Sequence, residues 1–309
     1  MNAFLAGLFT AAVLAWPFYR FLLAIRSRQT VSQHVKEHAH KQGTPTMGGL
    51  MILSGLAGLL VTMAAQGEGK FSGGMAVFLG LMAFVGFVDD FLIPRLMPGK
   101  RGLGWIPKLA MEFGAAGIGL YALGVTSPPA LILGVFVVLF YANAYNFADG
   151  LDWLSGTILV AYVFGVLLIG GTGGLRGEMA FGLLGAMVPF LVMNKPKAKI
   201  FMGDVGSMPL GGLLGVLTLS LVGATPLGGP LEGSARLMFA VAVLSFVMLA
   251  ELLPPPLQIL SVKLRKKRIF PFTPIHHAFQ KAGWPETRVV ALFAGVQLLC
   301  SLVAWGVSR

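Results

Sequence analysis

The sequence predicts an all-α, polytopic integral membrane protein of about ten transmembrane helices, and three observations lead there. Of its 309 residues 56% are apolar and only 11% charged, where a soluble domain would be about a quarter charged. Apolar runs near or above the roughly 18 residues needed to cross a bilayer recur along the whole length. The connections between those runs alternate sharply in charge. A transmembrane β-barrel would instead show weak alternating segments of about ten residues.

The runs fall at 3–25, 47–66, 71–92, 105–124, 128–146, 155–171, 178–193, 207–223, 236–260 and 289–308. Arg20 and the segments 26–46, 93–108, 194–206 and 261–288 hold 19 of the 23 Lys and Arg residues. Lys70, Arg176, Arg236 and Arg309 lie on the other side. Basic loops mark the cytoplasmic face, so both termini are expected outside. The net charge of +11 is then topology plus attraction to anionic membrane lipid, with no nucleic-acid partner. The chain reads as one transmembrane catalytic domain, 1–309, with cytoplasmic loops at about 26–46, 93–104, 147–154, 194–206 and 261–288.

The first run has no basic residue before it, and Arg20, Arg26 and Arg28 come late in it or after it. It therefore reads as a helix and not a cleaved signal peptide. The second run opens on GTPTMGG (Gly43–Gly49), where Pro45 suits a helix start and the glycines admit a close neighbour. That motif is a helix cap with small-residue packing, or a site where Lys41 and Thr46 reach a phosphate or sugar. The third run ends in FVDDF, which sets Asp89 and Asp90 about 100° apart on a helix. They do not grip one ion symmetrically, so one is free to face a second substrate or a lysine. Glu112, in the fourth run, is either a buried structural partner or an ion-coupling site, and Glu251 in the ninth shares that ambiguity.

The fifth run ends in Asn143, Asn146, Asp149 and Asp152, spaced every three residues. Gly150 should end the helix and let the aspartates turn inward from a loop. Polar capping would need only one of the four. Asn194 closes the seventh run, and FMGDVGS (Phe201–Ser207) precedes the eighth. Asp204 lies between two glycines, and hard cations such as Mg²⁺ take oxygen ligands while keeping several waters, so Asp204 is the expected metal ligand. Phe201 is either core or lipid-facing, or stacks on a nucleobase.

Pro254–Pro256 should kink or end the ninth run and turn loop 261–288 over the site. That longest loop is the one expected to have structure of its own. The basic run Lys263 to Arg268 reads as a membrane-surface anchor. In the following PIHHAFQKAGW, two histidines without a cysteine or third close histidine do not complete a zinc set. His276 and His277 are expected to donate to a pyrophosphate. Cys300, the single cysteine, is a small apolar packing residue in the last run.

All five aspartates meet the membrane at one face, the basic one. Carboxylates beside hydrocarbon are costly and functional by default. Without matching acids on the opposite face, they point to a divalent cation and a phosphorylated substrate. An enzyme is the first hypothesis. A secondary transporter is the second, but transporters place sites near the midplane between repeated halves, and no repeat is evident here.

Taken together, GTPTMGG, the DD pair, NAYNFADGLD, FMGDVGS and TPIHH before GW resemble the polyprenyl-phosphate N-acetylhexosamine-1-phosphate transferases, of glycosyltransferase family 4 type. The resemblance runs in order from His34 to Trp284. It implies ten helices, Mg²⁺, UDP-N-acetylmuramoyl-pentapeptide as donor, undecaprenyl phosphate as acceptor, and a homodimer. Lipid I and UMP would be the products. Asp89, Asp90 and Asp204 match the family's essential acids, with Asp204 on the metal. Lys41, Thr46, Asn146, Asp149 and Phe201 match its nucleoside-binding positions, Asn194 and Asp152 line its cleft, and His276 and His277 fall on its histidine motif. A sister enzyme moving N-acetylglucosamine-1-phosphate is the nearest rival, disfavoured by PTMGG and TPIHH.

Three departures stand out. Ala278 replaces a third histidine, Ile93 replaces a lysine three residues after the acid pair, and KPKAK follows Asn194 with its proline one residue early. Arg95 or Lys100 are the candidates to replace the missing lysine.

The expected chemistry is phosphoryl transfer, which relies on positioning and charge neutralisation. A lipid phosphate has a second pKa near about 6 and is largely dianionic at neutral pH, so a general base adds little. Asp89 and Asp90 are then organisers of ion and substrate, and direct attack is simpler than a covalent aspartyl-phosphate.

Overall fold

The computed structural model describes residues 2–25, 43–100, 102–223 and 235–309, and their regular elements are all helices, with no extended strand. Lys41, His34, His38 and His40 lie outside the described residues. The helices are α1 (Asn2–Ala24), α2 (Gly49–Met63), α3 (Gly69–Phe87), α4 (Ile93–Leu96), α5 (Trp105–Ala122), α6 (Pro128–Ala148) and α7 (Leu154–Gly170). After them come α8 (Gly174–Asn194), α9 (Asp204–Leu221), α10 (Ala235–Leu244), α11 (Phe246–Leu252), α12 (Pro254–Arg265), α13 (Ile275–Lys281) and α14 (Glu286–Ser308).

Among the described residues, seven helical stretches are long and apolar enough to cross a membrane. One of them, Gly49–Leu96, is a run of 48 residues that turns at Gly67, where φ is +103°. It is therefore the two rods α2 and α3, as the sequence separates them at 47–66 and 71–92. Leu154–Gly170 and Ala235–Leu244 are apolar but shorter. The ninth run breaks in two places. Ser245 interrupts it first, and Leu253 precedes three prolines that start α12. The helix then continues to Arg265, five residues beyond the end read from sequence. The loop after it contains α13, so that connection does have structure of its own.

Helix α9 is the axis of the bundle. In its apolar window 94% of residues are buried, against 17% for α1. It packs between α3 and α6; α5 covers α3, α1 lies against α2 and α8, and α14 lies against α7 and α10. Large apolar side chains such as Phe9, Val61 and Phe136 face outward. An outer apolar surface around a filled core suits lipid as the surrounding solvent.

Polar groups inside a membrane bundle must find partners in the protein. The Tyr141 and Tyr162 hydroxyls lie 2.6 Å apart, and Tyr162 reaches Thr218 Oγ1 at 2.7 Å. Tyr141 also bonds Ser245 Oγ, tying the first break of the ninth run to α6. The break is thus a fixed part of the core.

Close helix approach is set by small residues. A Cβ built on Gly86 of α3 would lie 2.2 Å from the backbone carbon and oxygen of Asp204. That contact is with backbone, so the two helices would have to separate. Gly86→Ala should therefore cost about 1–3 kcal/mol. It should also reduce turnover by displacing Asp204 from Asp90. Thermal unfolding in detergent beside an activity assay checks both, and an unchanged melting temperature would contradict the close packing.

Candidate active site

At the end of α3 the helix widens through Val88–Leu92 before continuing into α4, and this wide turn carries both acids. Asp89 Oδ1 accepts the Leu103 backbone N–H at 2.5 Å, and its Oδ2 accepts the Lys108 ammonium at 2.8 Å. Asp90 points elsewhere and accepts the backbone N–H of Asp204 at 2.5 Å. Asp204 opens α9, where the helix dipole favours an acid. Its Oδ2 accepts Lys108 Nζ at 2.5 Å, and its Oδ1 accepts the Asn146 amide at 2.7 Å. Asn146 also donates to Ser207 Oγ at 2.8 Å.

Residues from the DD, NFADGLD and FMGD motifs thus meet around one ammonium. Three carboxyl groups here outnumber the one lysine, a costly arrangement for poorly solvated groups. Among the described residues, no group of three or more Asp, Glu, His or Cys side chains closes a metal-ligand set. Magnesium does not require one, since it keeps waters and shares substrate phosphates through one or two carboxylates. The surplus of acid groups and the oxygen donors fit such an ion.

Gly203 precedes Asp204 with φ +70°, and a Cβ there would lie 2.6 Å from both Asp90 Oδ2 and Thr46 Oγ1. Glycine is needed there for backbone conformation and for space. Thr46 is therefore beside the acid cluster. Its segment is laced to the FMGD segment by three backbone bonds: Phe201 N–H to Pro45 O at 2.9 Å, Gly48 N–H to Phe201 O at 2.8 Å and Gly49 N–H to Met202 O at 3.0 Å. Phe201 is partly buried at this junction.

Helix α6 stops at Ala148, so Asp149 and Asp152 leave it on a loop. Asp149 accepts the Ser155 hydroxyl at 2.6 Å. Burial pushes its carboxyl up to about 6, partly offset by the Ser155 hydrogen bond and reinforced by the nearby Asp204 charge. Asp152 accepts the Ala198 N–H at 3.0 Å, while its own N–H donates to Glu286 Oε1 at 2.6 Å. Trp153 N–H donates to Asn194 Oδ1 at 2.8 Å, and the Asn194 amide donates to Ile200 O at 2.8 Å. Asp152 and Asn194 therefore join this loop to the segment that leads to Asp204.

The histidine motif folds over the same loop. A Cβ on Gly150 would lie 2.4 Å from His276 Nε2 and 3.4 Å from His277 Nε2. His276 bonds Glu251 Oε2 through Nδ1 at 2.9 Å, with both side chains fully buried. His277 is partly buried, its ring 4.1 Å from that of His276 and its Nδ1 2.8 Å from Gln280 Oε1.

Several expectations change. His276 does not reach the surface, so it holds the loop and His277 is the better placed to meet a phosphate. Asn143 turns to Glu112 at 2.7 Å and so stands behind the acid cluster. Arg95 stacks on Phe91 at 5.3 Å and Lys100 is exposed, so neither takes the place of the lysine absent at Ile93. Lys108 is the cation at the acids. Glu112 bonds Asn143 and Glu251 bonds His276, so both are buried with partners in the protein. Lys108, Glu286 and the Glu251–His276 pairing were not evident as site features in the sequence.

The glycosyl transferase family 4 model matches residues 72–222, and signature 1 of phospho-N-acetylmuramoyl-pentapeptide-transferase matches residues 41–53. The chain is 36% identical to the phospho-N-acetylmuramoyl-pentapeptide-transferase of Heliobacterium modesticaldum, over 87% of this chain and 84% of that one. It is 33% identical to the protein of that name from Thermotoga maritima, over 93% of each. Against the one from Thermotoga neapolitana it is 30% identical, again over 93% of each.

Proposed function

The chain belongs to the phospho-N-acetylmuramoyl-pentapeptide-transferase family, and from that premise we infer how its site works. The reaction moves phospho-N-acetylmuramoyl-pentapeptide from its UDP-linked donor to undecaprenyl phosphate, giving lipid I and UMP. The observation that carries this reading is that Asp89 and Asp204 share the Lys108 ammonium, while Asn146 and Asp90 each bond Asp204.

In this reading ten helices cross the bacterial inner membrane, both termini face outward, and the acid cluster faces the cytoplasm. The charge asymmetry of the loops supports that orientation. The enzyme acts as a homodimer in this reading, which molecular mass in detergent would check.

An oxygen of the lipid phosphate attacks the sugar-linked phosphorus, and the bond from that phosphorus to the UMP oxygen breaks. Phosphoryl transfer of this kind depends on alignment and on neutralising spread charge. Asp204, steadied by Asn146, would hold Mg²⁺, which when bound supplies charge neutralisation at the diphosphate. Lys108 is already poised between two acids and can exchange an acid contact for a phosphate oxygen. Asp90 fixes the start of α9 by holding the Asp204 N–H. His277 donates to the diphosphate, and Glu251 keeps His276 beneath it. Thr46, Lys41, Asp149, Asn146 and Phe201 take the nucleoside, while Asn194 and Asp152 shape the cleft wall.

A radiolabelled-donor assay with undecaprenyl phosphate, with and without Mg²⁺, tests the reading. Labelled lipid should appear only when both metal and acceptor are present. Donor given alone should release no UMP and label no aspartate. Release without acceptor, with label on an aspartate, would replace direct attack by a covalent intermediate.

A further inference from the structure

We propose that the basic pocket at the end of α12 is a binding site for an anionic phospholipid headgroup, and that its occupancy supports the histidine loop. The proposal rests on the membrane reading and goes beyond the transfer reaction. The pocket has a volume of about 550 Å³ and combines Lys263, Lys266 and Arg268 with Ile259, Val262 and Phe272. Among the described residues, no carboxylate pairs with any of the three cations. A basic run that served only as a solvated surface would have no need of a defined shape. This one is folded back onto α12. The Gln258 side chain accepts the Ile269 and Phe270 N–H groups at 3.0 Å each and donates to Phe270 O at 3.0 Å. Ser261 donates to Lys267 O at 2.9 Å.

Lys266 supplies the second observation. It ends the helix in the left-handed region, with φ +56° and ψ +21°, where a lysine is strained and glycine is not. The strained residue is also one of the pocket's cations.

The occupant follows from the mixed walls. Ile259 and Leu264 project from α12 with 68% and 71% of their surface exposed, which suits lipid. A ligand here meets apolar wall and cationic rim together, which matches a phosphate headgroup on an acyl tail. The reaction's own acceptor is a poorer match, because its phosphate must travel on to Lys108 and not remain with three cations. Phe272 connects the pocket to the site: it lines one wall and packs edge-on against His277, ring centroids 5.9 Å apart. An occupied pocket would therefore hold the His277 loop in place.

The test uses the full chain in phosphatidylcholine nanodiscs, with and without phosphatidylglycerol. Phosphatidylglycerol retention is read by native mass spectrometry, and turnover by UMP release. The parent should retain the anionic lipid and turn over faster with it. Each cation near an anionic surface contributes on the order of fivefold in affinity. Lys263→Gln/Lys266→Gln/Arg268→Gln should lose retention by roughly a hundredfold and lose the gain in turnover, while keeping its activity in phosphatidylcholine. Lys266→Gly relaxes the backbone, so a fall in retention there cannot be ascribed to misfolding. Equal retention and equal gain in parent and variants would overturn the proposal. So would a rise in acceptor KM with the lipid gain intact, which would assign the pocket to the acceptor's phosphate. A gain reproduced by inorganic phosphate in phosphatidylcholine alone would overturn it too. UMP release in phosphatidylcholine reports the transferase reading separately.

Discussion

Lys108→Ala is expected to lower UMP release by about a hundredfold to a thousandfold, the range seen when one preorganised charge-stabilising donor is removed. The ammonium lies 2.8 Å from Asp89 and 2.5 Å from Asp204, so it holds together two motifs 115 residues apart in sequence. Without it, three carboxylates share the site with no cation of the protein's own, and the incoming diphosphate meets their full repulsion. Lys108→Met keeps the apolar stem and removes only the charge. It should lose nearly as much activity as alanine while retaining more thermal stability. Lys108→Arg keeps the charge, but its planar fork cannot reproduce a point contact with two carboxylates, so it should fall between. Steady-state rates with purified variants in detergent measure all three. A methionine variant with more than about a tenth of parent activity would remove the lysine from the chemistry.

That lysine shows where sequence reasoning stops. Lys108 sits within a basic fringe that the positive-inside rule already explains, so nothing in its local pattern separates it from Lys100 or Arg95. Only the packing of α5 onto α3 brings it to the acids. Likewise, the buried pair of Glu251 and His276 spans 25 residues and the second break of the ninth run, which periodicity does not register. By contrast, the acids themselves were legible, because a carboxylate at a membrane boundary is expensive wherever it falls. The loop release of Asp149 was legible too, from Gly150 and from the impossibility of aligning four residues spaced by three on one helical face. The helices could be placed from hydropathy, since lipid leaves the backbone few alternatives. Helix ends were less certain, and α12 ran on past its predicted end because amphipathic and basic residues suit a helix at the interface.

Asp204→Asn is expected to abolish Mg²⁺-dependent turnover, again by roughly a hundredfold or more, and the reason can be separated from simple loss of fold. Asparagine keeps the size of the side chain and leaves the Asp90 contact intact, because that contact is to the residue 204 backbone N–H. The start of α9 should therefore stay in place. What changes is the acid itself: the Asp204 carboxylate is replaced by a neutral amide, which removes the oxygen best placed for a hard cation. Two effects should then diverge. Without metal, donor binding should be as tight as in the parent or tighter, because there is less repulsion of the diphosphate. With Mg²⁺ added, the parent should gain both affinity and turnover, while the variant should gain neither. Titrating Mg²⁺ against bound labelled donor and against UMP release distinguishes these outcomes. A variant that loses metal-free binding as well would point to a damaged fold. One that keeps a Mg²⁺-dependent rate would move the ion to Asp89 or Asp90 and leave Asp204 as the anchor of Lys108.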